Sequence, residues 1–225
     1  PGRPGYQFHA GLVVGETDRL SDESNYSMKP ELNFQTRSEF PAFLNECGLT
    51  GTGAEIGVQE GIYSECILQN WKGKTLFSVD AWKNFDAGEY IDISNRNDDE
   101  HILLYVNTTL RLRSFGERSI VWRMTSEQAA FAMPDNTLDF CYIDADHRYE
   151  AAKQDIELWL PKVKSGGIIC GHDYVPDGNL YNQADGSLIG LFGVQRAVKE
   201  FATRHNWDVH VTELEDWPSW FAFKT

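Results

Sequence analysis

The sequence lacks the features of a membrane or nucleic-acid-binding protein. No apolar run reaches the length of about 18 residues that a membrane-spanning helix needs. Lysine and arginine are scarce: 20 basic residues face 34 acidic ones, and the net charge of -14 repels phosphate backbones. We therefore expect no membrane partner and no nucleic-acid substrate.

Cysteine is also scarce, and its spacing indicates neither disulfides nor a zinc site. The four cysteines form no Cys-x-x-Cys pair, and Cys141 and Cys170 lie within apolar runs typical of buried strands. We expect free thiols in a reducing, cytoplasmic compartment. Because the sequence begins at Pro1, it neither indicates nor excludes an upstream targeting segment.

The length of 225 residues suits one buried α/β core and is short for two. We predict an N-terminal arm over residues 1–37, which wraps the domain or covers its site, and a single domain over residues 38–225. The apolar runs predict seven strands: Ala54–Ile56, Thr75–Val79, Ile120–Arg123, Leu138–Ile143, Gly167–Cys170, Asp208–Thr212 and Trp220–Phe223.

The segment from Gly53 to Gly61 predicts a strand, a glycine turn and a following helix. Gly57 and Gly61 allow the backbone to approach a ligand closely. Asp80 ends the next apolar run, 19 residues after Gly61. A carboxylate there is suited to accept hydrogen bonds from both hydroxyls of a ribose. An ordinary α/β turn without a ligand stays the alternative.

The spacing of this turn distinguishes between cofactors. It lacks the Gly-x-Gly-x-x-Gly of dinucleotide sites, and Glu55, two residues before Gly57, would repel a pyrophosphate. An acid there suits an ammonium and a sulfonium, as in S-adenosylmethionine. The segment resembles the first motif of class I S-adenosylmethionine-dependent methyltransferases, keeping Glu55, Gly57 and Gly61 and placing Gln59 at the middle glycine.

Two polar clusters follow predicted strands. Asp144-Ala-Asp-His147 comes directly after the fourth strand, and Gly171-His-Asp-Tyr174 follows the fifth. In open α/β sheets, ligands bind outside the carboxyl ends of the strands, so both clusters are expected beside the cofactor.

This block resembles the methyltransferase subfamily that includes macrolide-sugar and aminocoumarin-sugar O-methyltransferases, and the resemblance runs from about Arg37 to the C-terminus. It implies a Rossmann-like, doubly wound, seven-stranded sheet that is mostly parallel with an antiparallel last strand. It also implies a divalent metal on Asp144 and on the residues that close the next strand.

Oxygen ligands from Asp144 and Asp173 suit magnesium, while His172 would admit softer ions such as manganese or zinc. Asp146 and His147 are the candidate bases for an acceptor proton. The alternative is that these groups only hydrogen-bond to neighbouring loops, with His147 as a helix-entry residue.

Further cofactor contacts are predicted at Asp144, Trp82 and Ser126. Trp82 would cover an adenine face, with core packing as the alternative. By the resemblance, Ser126 corresponds to the adenine-edge position, although Thr125 stands where the family often has an acid.

Two segments are candidate substrate lids, since both leave the carboxyl edge of the sheet: Lys83–Asn97 and Val175–Leu191. The first precedes a helix predicted over Asp98–Phe115. Its predicted apolar face consists of Ile102, Tyr105, Val106, Thr109 and Leu110.

The sequence therefore predicts an S-adenosylmethionine-dependent O-methyltransferase acting on a hydroxyl of a small molecule or sugar. N-methylation of a small amine and a non-catalytic cofactor-binding module are the alternatives, and the glycine spacing disfavours a dehydrogenase. Whether a metal is required and whether the chain forms a homo-oligomer stay open.

Overall fold

A seven-stranded sheet organises the computed structural model, which describes residues 30–86 and 90–225. The sheet strands are β1 Thr52–Ile56, β2 Thr75–Asp80, β3 Ser119–Arg123, β4 Leu138–Ile143, β5 Val163–Gly171, β8 His210–Val211 and β9 Trp220–Phe223. They lie in the order β3-β2-β1-β4-β5-β9-β8. Five neighbouring strands run parallel, whereas β9 is antiparallel to both β5 and β8. The predicted fold class is thus confirmed.

Helices cover both faces of the sheet, and a separate antiparallel hairpin, β6 Gly178–Tyr181 with β7 Leu188–Phe192, projects after β5. The helices are α1 Phe40–Glu46, α2 Ile62–Asn70, α3 Asp98–Leu112, α4 Ser126–Ala132, α5 Tyr149–Trp159 and α6 Val194–His205. No helix of the described residues is long and apolar enough to cross a membrane.

Strand β4 shows why the apolar runs identified the sheet. All six of its residues are buried, because parallel strands in the middle of a sheet are covered on both faces. Cys141 and Ile143 pack into the core beneath α5 and α6, while Phe140 and Tyr142 pack into the core beside α1 and α2. The four cysteines are free, as expected.

The predicted apolar face of α3 is wrong. The helix buries His101, Leu104, Thr108 and Leu112, whereas Ile102, Val106 and Leu110 are exposed. The reason is the contact with the glycine turn: Thr108 donates its hydroxyl hydrogen to the carbonyl of Gln59. A helix with apolar residues on several sides takes its orientation from what it packs against.

The predicted arm falls largely outside the described residues, since residues 1–29 are among those not described. Its last part packs onto the domain. Phe34 is buried and its ring lies 4.6 Å from that of Phe221 in β9.

Candidate active site

The turn after β1 is held in a conformation that only glycine adopts easily. Gly57 has a φ of 86°, and a Cβ there would collide with the backbone carbonyl of Asp144. The amide of Asp144 donates to the carbonyl of Ile56 at 2.7 Å. The exits of β1 and β4 are thereby joined where the strand order reverses, which is where ligands bind in such sheets.

Asp80, the last residue of β2, supports this turn. Its Oδ2 accepts the amides of Val58 and Gln59, both at 2.9 Å, and its Oδ1 accepts the amide of Trp82 at 2.7 Å. The carboxylate is therefore fixed at the sheet edge. Its contact with a ribose stays a prediction.

Glu55 lies beneath the turn. Its carboxyl is 1% exposed and accepts a hydrogen bond from the hydroxyl of Ser64, which in turn contacts Ser78. Burial raises the pKa of Glu55 to about 8, although the hydrogen bond from Ser64 opposes the rise. The side chain is directed into the protein, so direct contact with an ammonium stays a prediction.

Trp82 and Ser126 are both engaged within the protein. Trp82 is 1% exposed and its indole donates to the carbonyl of Gln59, so the structure supports core packing over adenine stacking. The hydroxyl of Ser126 donates to Asp155 at 2.5 Å and accepts from the indole of Trp159. The adenine-edge contact of Ser126 stays a prediction.

Acidic and imidazole groups meet at the exits of β4 and β5. Ligand atoms of Asp144, His147 and Asp173 all lie within 4.8 Å of one another. Two carboxylates and an imidazole form a donor set that fits a divalent cation. The predicted pair Asp144 and Asp173 is thus brought together.

The third member of this group is His147, whereas the sequence predicted His172. The Nδ1 of His172 lies 3.3 Å from Asp173 and 3.6 Å from Asp144, so it borders the same carboxylates. Burial lowers its pKa, but the hydrogen bonds to the two carboxylates raise it more, to about 9. His172 is thus one of the cationic groups that face these two acids.

His147 lies between two carboxylates. Its Nδ1 is 2.8 Å from Asp92 and its Nε2 is 2.9 Å from Asp173. Burial lowers the pKa of His147, but hydrogen bonds and attraction to both acids raise it well above the usual 6.5. Both ring nitrogens therefore face carboxylates in this arrangement, and the role of His147 as a base stays a prediction.

Asp146, the other candidate base, pairs with Arg148. The Nε of Arg148 lies 3.0 Å from both carboxylate oxygens, and its Nη2 lies 2.5 Å from Oδ2. This pair closes the turn between β4 and α5. Proton transfer by Asp146 would first require this pair to open.

Both predicted lids contribute to the site, and Asp92 was missed. Asp92 forms an antiparallel bridge with Gly190 of β7, and the amide of Ile93 donates to the carbonyl of Ile189. Phe192 of β7 stacks on the ring of His147, with 4.8 Å between centroids. The lids therefore meet each other over His147.

Arg37 is a second residue that the motifs did not identify as functional. It precedes α1, and its guanidinium reaches Asp144 at 3.4 Å and lies over the ring of Tyr63, 4.9 Å from the centroid. An arginine ahead of the first strand has no motif signal, because only the folded chain brings it to this edge.

The strand order, the glycine turn after β1 and the carboxylate that ends β2 match the Rossmann-like fold of class I methyltransferases. Comparison with known families agrees: the model of a methyltransferase domain matches residues 54–174, more than half of the 225 residues. The chain belongs to this family of methyltransferase domains.

Several solved structures share the fold. A protein from Staphylococcus aureus, provisionally named a caffeoyl-CoA O-methyltransferase, has a TM-score of 0.60 at 11% identity, over 88% of this chain and 87% of its own. The 1,6-didemethyltoxoflavin-N1-methyltransferase of Burkholderia thailandensis, which holds S-adenosylhomocysteine, has a TM-score of 0.52 at 14% identity, over 84% and 76%.

A curated relative, the uncharacterised protein y4gI of Sinorhizobium fredii, is 27% identical over 124 residues. The match covers 53% of this chain and 12% of that protein, so this chain spans a small part of its relative's length.

Proposed function

We propose that this methyltransferase transfers the methyl group to a hydroxyl oxygen of a small molecule or sugar, with a divalent cation at Asp144, His147 and Asp173. The observation that carries the proposal is the position of these three groups. They stand at the exits of β4 and β5, next to the glycine turn of the cofactor side.

The reaction requires that the acceptor be aligned with the methyl group and that the acceptor hydroxyl lose its proton. Methyl transfer from a sulfonium is an in-line displacement, so the protein mainly orients the acceptor and excludes water. An alcohol must also lose its proton during attack. A cation at this site would lower the pKa of the acceptor hydroxyl.

The chain's own residues have distinct tasks in this proposal. Asp144 and Asp173 offer oxygen ligands, and His147 offers Nε2 while Asp92 holds its Nδ1 hydrogen. The lid contact between Asp92 and β7 covers His147 on the side of its Nδ1, away from Asp173, and limits the access of water.

The names of relatives and the subfamily resemblance support an oxygen acceptor. The Staphylococcus aureus protein carries O-methyltransferase in its name, as does a Burkholderia thailandensis protein of the O-methyltransferase family, with a TM-score of 0.56 at 11% identity over 84% of this chain and 55% of its own. The motifs after β4 and β5 resemble those of sugar O-methyltransferases. The N1-methyltransferase with the same fold keeps N-methylation as the second candidate.

The test combines an acceptor screen with a metal assay. The protein is incubated with methyl-labelled S-adenosylmethionine and a panel of sugars, phenols and amines, with EDTA or with added Mg²⁺ or Mn²⁺. We expect label on a hydroxyl, loss of turnover in EDTA and recovery on metal addition. Label on amines alone, undiminished by EDTA, would contradict the proposal.

Metal binding is measured separately from turnover by the paramagnetic resonance of Mn²⁺. Asp173→Asn should abolish tight Mn²⁺ binding, and asparagine tolerates the φ of 55° at this position. Asp177→Asn is the matched control, since Asp177 is an exposed acid four residues further along. Equal Mn²⁺ binding by both variants would remove the cation from this site.

A further inference from the structure

Arg37 is a cation held firmly over the cofactor edge. Its amide donates to Glu215 Oε1 at 2.9 Å, and its carbonyl accepts the hydroxyl of Tyr63 at 3.0 Å. Thr36 and Glu39 add a capping box around the same turn. The backbone is thus fixed from the β8–β9 loop on one side and from α2 on the other.

The side chain of Arg37 lies at the exits of β1 and β4, where the strand order reverses. Its guanidinium lies over Tyr63, in the first turn of α2, and its Nη1 reaches Asp144 after β4. The side chain is 31% exposed, so it is open to a ligand at this edge. The contact of 3.4 Å with Asp144 is long, and a further hydrogen bond goes to the hydroxyl of Tyr142, so guanidinium donors remain for a ligand.

Other charges at this edge are engaged with each other. Asp80 and Asp144 flank the turn after β1, Arg148 pairs with Asp146, and His172 lies against Asp144 and Asp173. S-adenosylmethionine carries a carboxylate as well as an ammonium on its amino-acid tail. Acids such as Asp144 suit the ammonium, but the carboxylate needs a cation and a planar fork of donors.

The order of these residues along the carboxyl edge of the sheet indicates where the amino-acid tail of the cofactor would lie. Asp80, the predicted ribose acceptor, lies at β2, and the group of Asp144, His147 and Asp173, proposed above for the acceptor side, lies at the exits of β4 and β5. The sulfur must lie between them, at the exits of β1 and β4. We propose that Arg37 binds the carboxylate of the cofactor's amino-acid tail, exchanging part of its contact with Asp144 for a bidentate pair.

Two ligands that differ only in this carboxylate provide the test. S-adenosylmethionine and decarboxylated S-adenosylmethionine are titrated by calorimetry, in EDTA and without acceptor, into the wild type and Arg37→Gln. The variant should bind S-adenosylmethionine about 10- to 100-fold more weakly, as for loss of a charged hydrogen-bonded pair. Its affinity for the decarboxylated ligand should change less than about threefold.

Arg118→Gln is the matched control, because Arg118 donates to the carbonyls of Trp71 and Gly73, at the amino end of β2. It should keep the preference of the wild type for S-adenosylmethionine. Arg37→Lys, which keeps the charge but loses the fork, should show an intermediate preference.

Equal weakening of both ligands in Arg37→Gln would assign Arg37 a structural role and overturn the proposal. A wild type that binds both ligands equally well would overturn it without any variant, even if Arg37→Gln fails to fold. The measurement needs no acceptor and no metal, so the proposed O-methylation can fail while this proposal stands.

Discussion

The two halves of the carboxyl edge are built differently. On the cofactor side, a glycine turn is fixed by backbone contacts: Asp80 accepts three amides, and Gly57 fits against the carbonyl of Asp144. On the acceptor side, the contacts join side chains from distant segments, as where His147 bridges Asp92 and Asp173.

This difference separates cofactor binding from acceptor recognition. Contacts that involve the backbone of the turn after β1 and the ends of the adjacent strands β2 and β4 are fixed by the sheet itself. Contacts between charged side chains carried by two lids change when a lid moves or a cation binds. We therefore expect substitutions on the cofactor side to affect stability and affinity together, and those on the acceptor side to affect ionisation and turnover.

The largest effect is expected for Gly57→Ala. The new Cβ would meet the backbone carbonyl of Asp144 at a positive φ, which should cost about 3 kcal/mol of unfolding free energy or more and abolish measurable S-adenosylhomocysteine binding. Gly48→Ala is the control: its φ is 70°, but its Cβ would meet open space, so we expect a cost of about 1 kcal/mol and normal binding. Denaturant unfolding and calorimetry measure both, and equal costs would contradict the packing argument.

The next largest effect is expected on the pH dependence of the unfolding free energy, to which Glu55 contributes. Burial raises its pKa to about 8 in the folded protein, against 4.5 as the ordinary value. The folded state therefore holds a proton that the unfolded chain releases, and the contribution of Glu55 to stability is present below pH 4.5 and falls as the pH rises toward 8.

Glu55→Gln keeps an acceptor for Ser64 but no titrating proton, so this fall in the free energy of unfolding should shrink in the variant. Glu65→Gln is the control. Glu65 lies on α2, the helix that carries Ser64, in a partly exposed ion pair, so this variant should keep the pH dependence of the wild type. Parallel stability curves for the wild type and Glu55→Gln would contradict the buried position of Glu55.

Asp80→Ala should weaken two properties at once. Three backbone amides lose their acceptor, which should lower the unfolding free energy by about 2 kcal/mol, and the loss of a ribose acceptor should weaken S-adenosylhomocysteine binding by about 1.5–3 kcal/mol. Asp135→Ala, which removes an exposed partner of Lys162, is the control. Unchanged affinity in Asp80→Ala would remove the ribose assignment.

The smallest effect on stability is expected for Asp92→Asn, which tests the acceptor side. Loss of one of two carboxylate partners should lower the pKa of His147. Titration of the imidazole protons by NMR measures this directly. Asp185→Asn is the control, since that carboxylate bonds to Ser187 in the β6–β7 turn. The same pKa in both variants would show that Asp92 does not support the imidazolium.

The cofactor side was largely predictable from the sequence, because its signals are local. The bounds of β4 and β9 match the prediction in full, since their apolar runs have the length of strands. The pairing of Asp92 with His147 was not predictable, because 55 residues separate them and the contact depends on the conformation of a lid. The packing side of α3 was missed for a related reason: Thr108, a polar residue, is the one that meets Gly61.

A crystal structure with S-adenosylhomocysteine and Mn²⁺ tests the central claim most directly, namely that cofactor and acceptor sites adjoin at the exits of β1 and β4. We expect the ribose hydroxyls at Asp80, the sulfur facing the group of Asp144, His147 and Asp173, and an anomalous manganese peak at that group. A cofactor bound elsewhere, or one whose sulfur lies on the far side of β2 from these residues, would contradict the account.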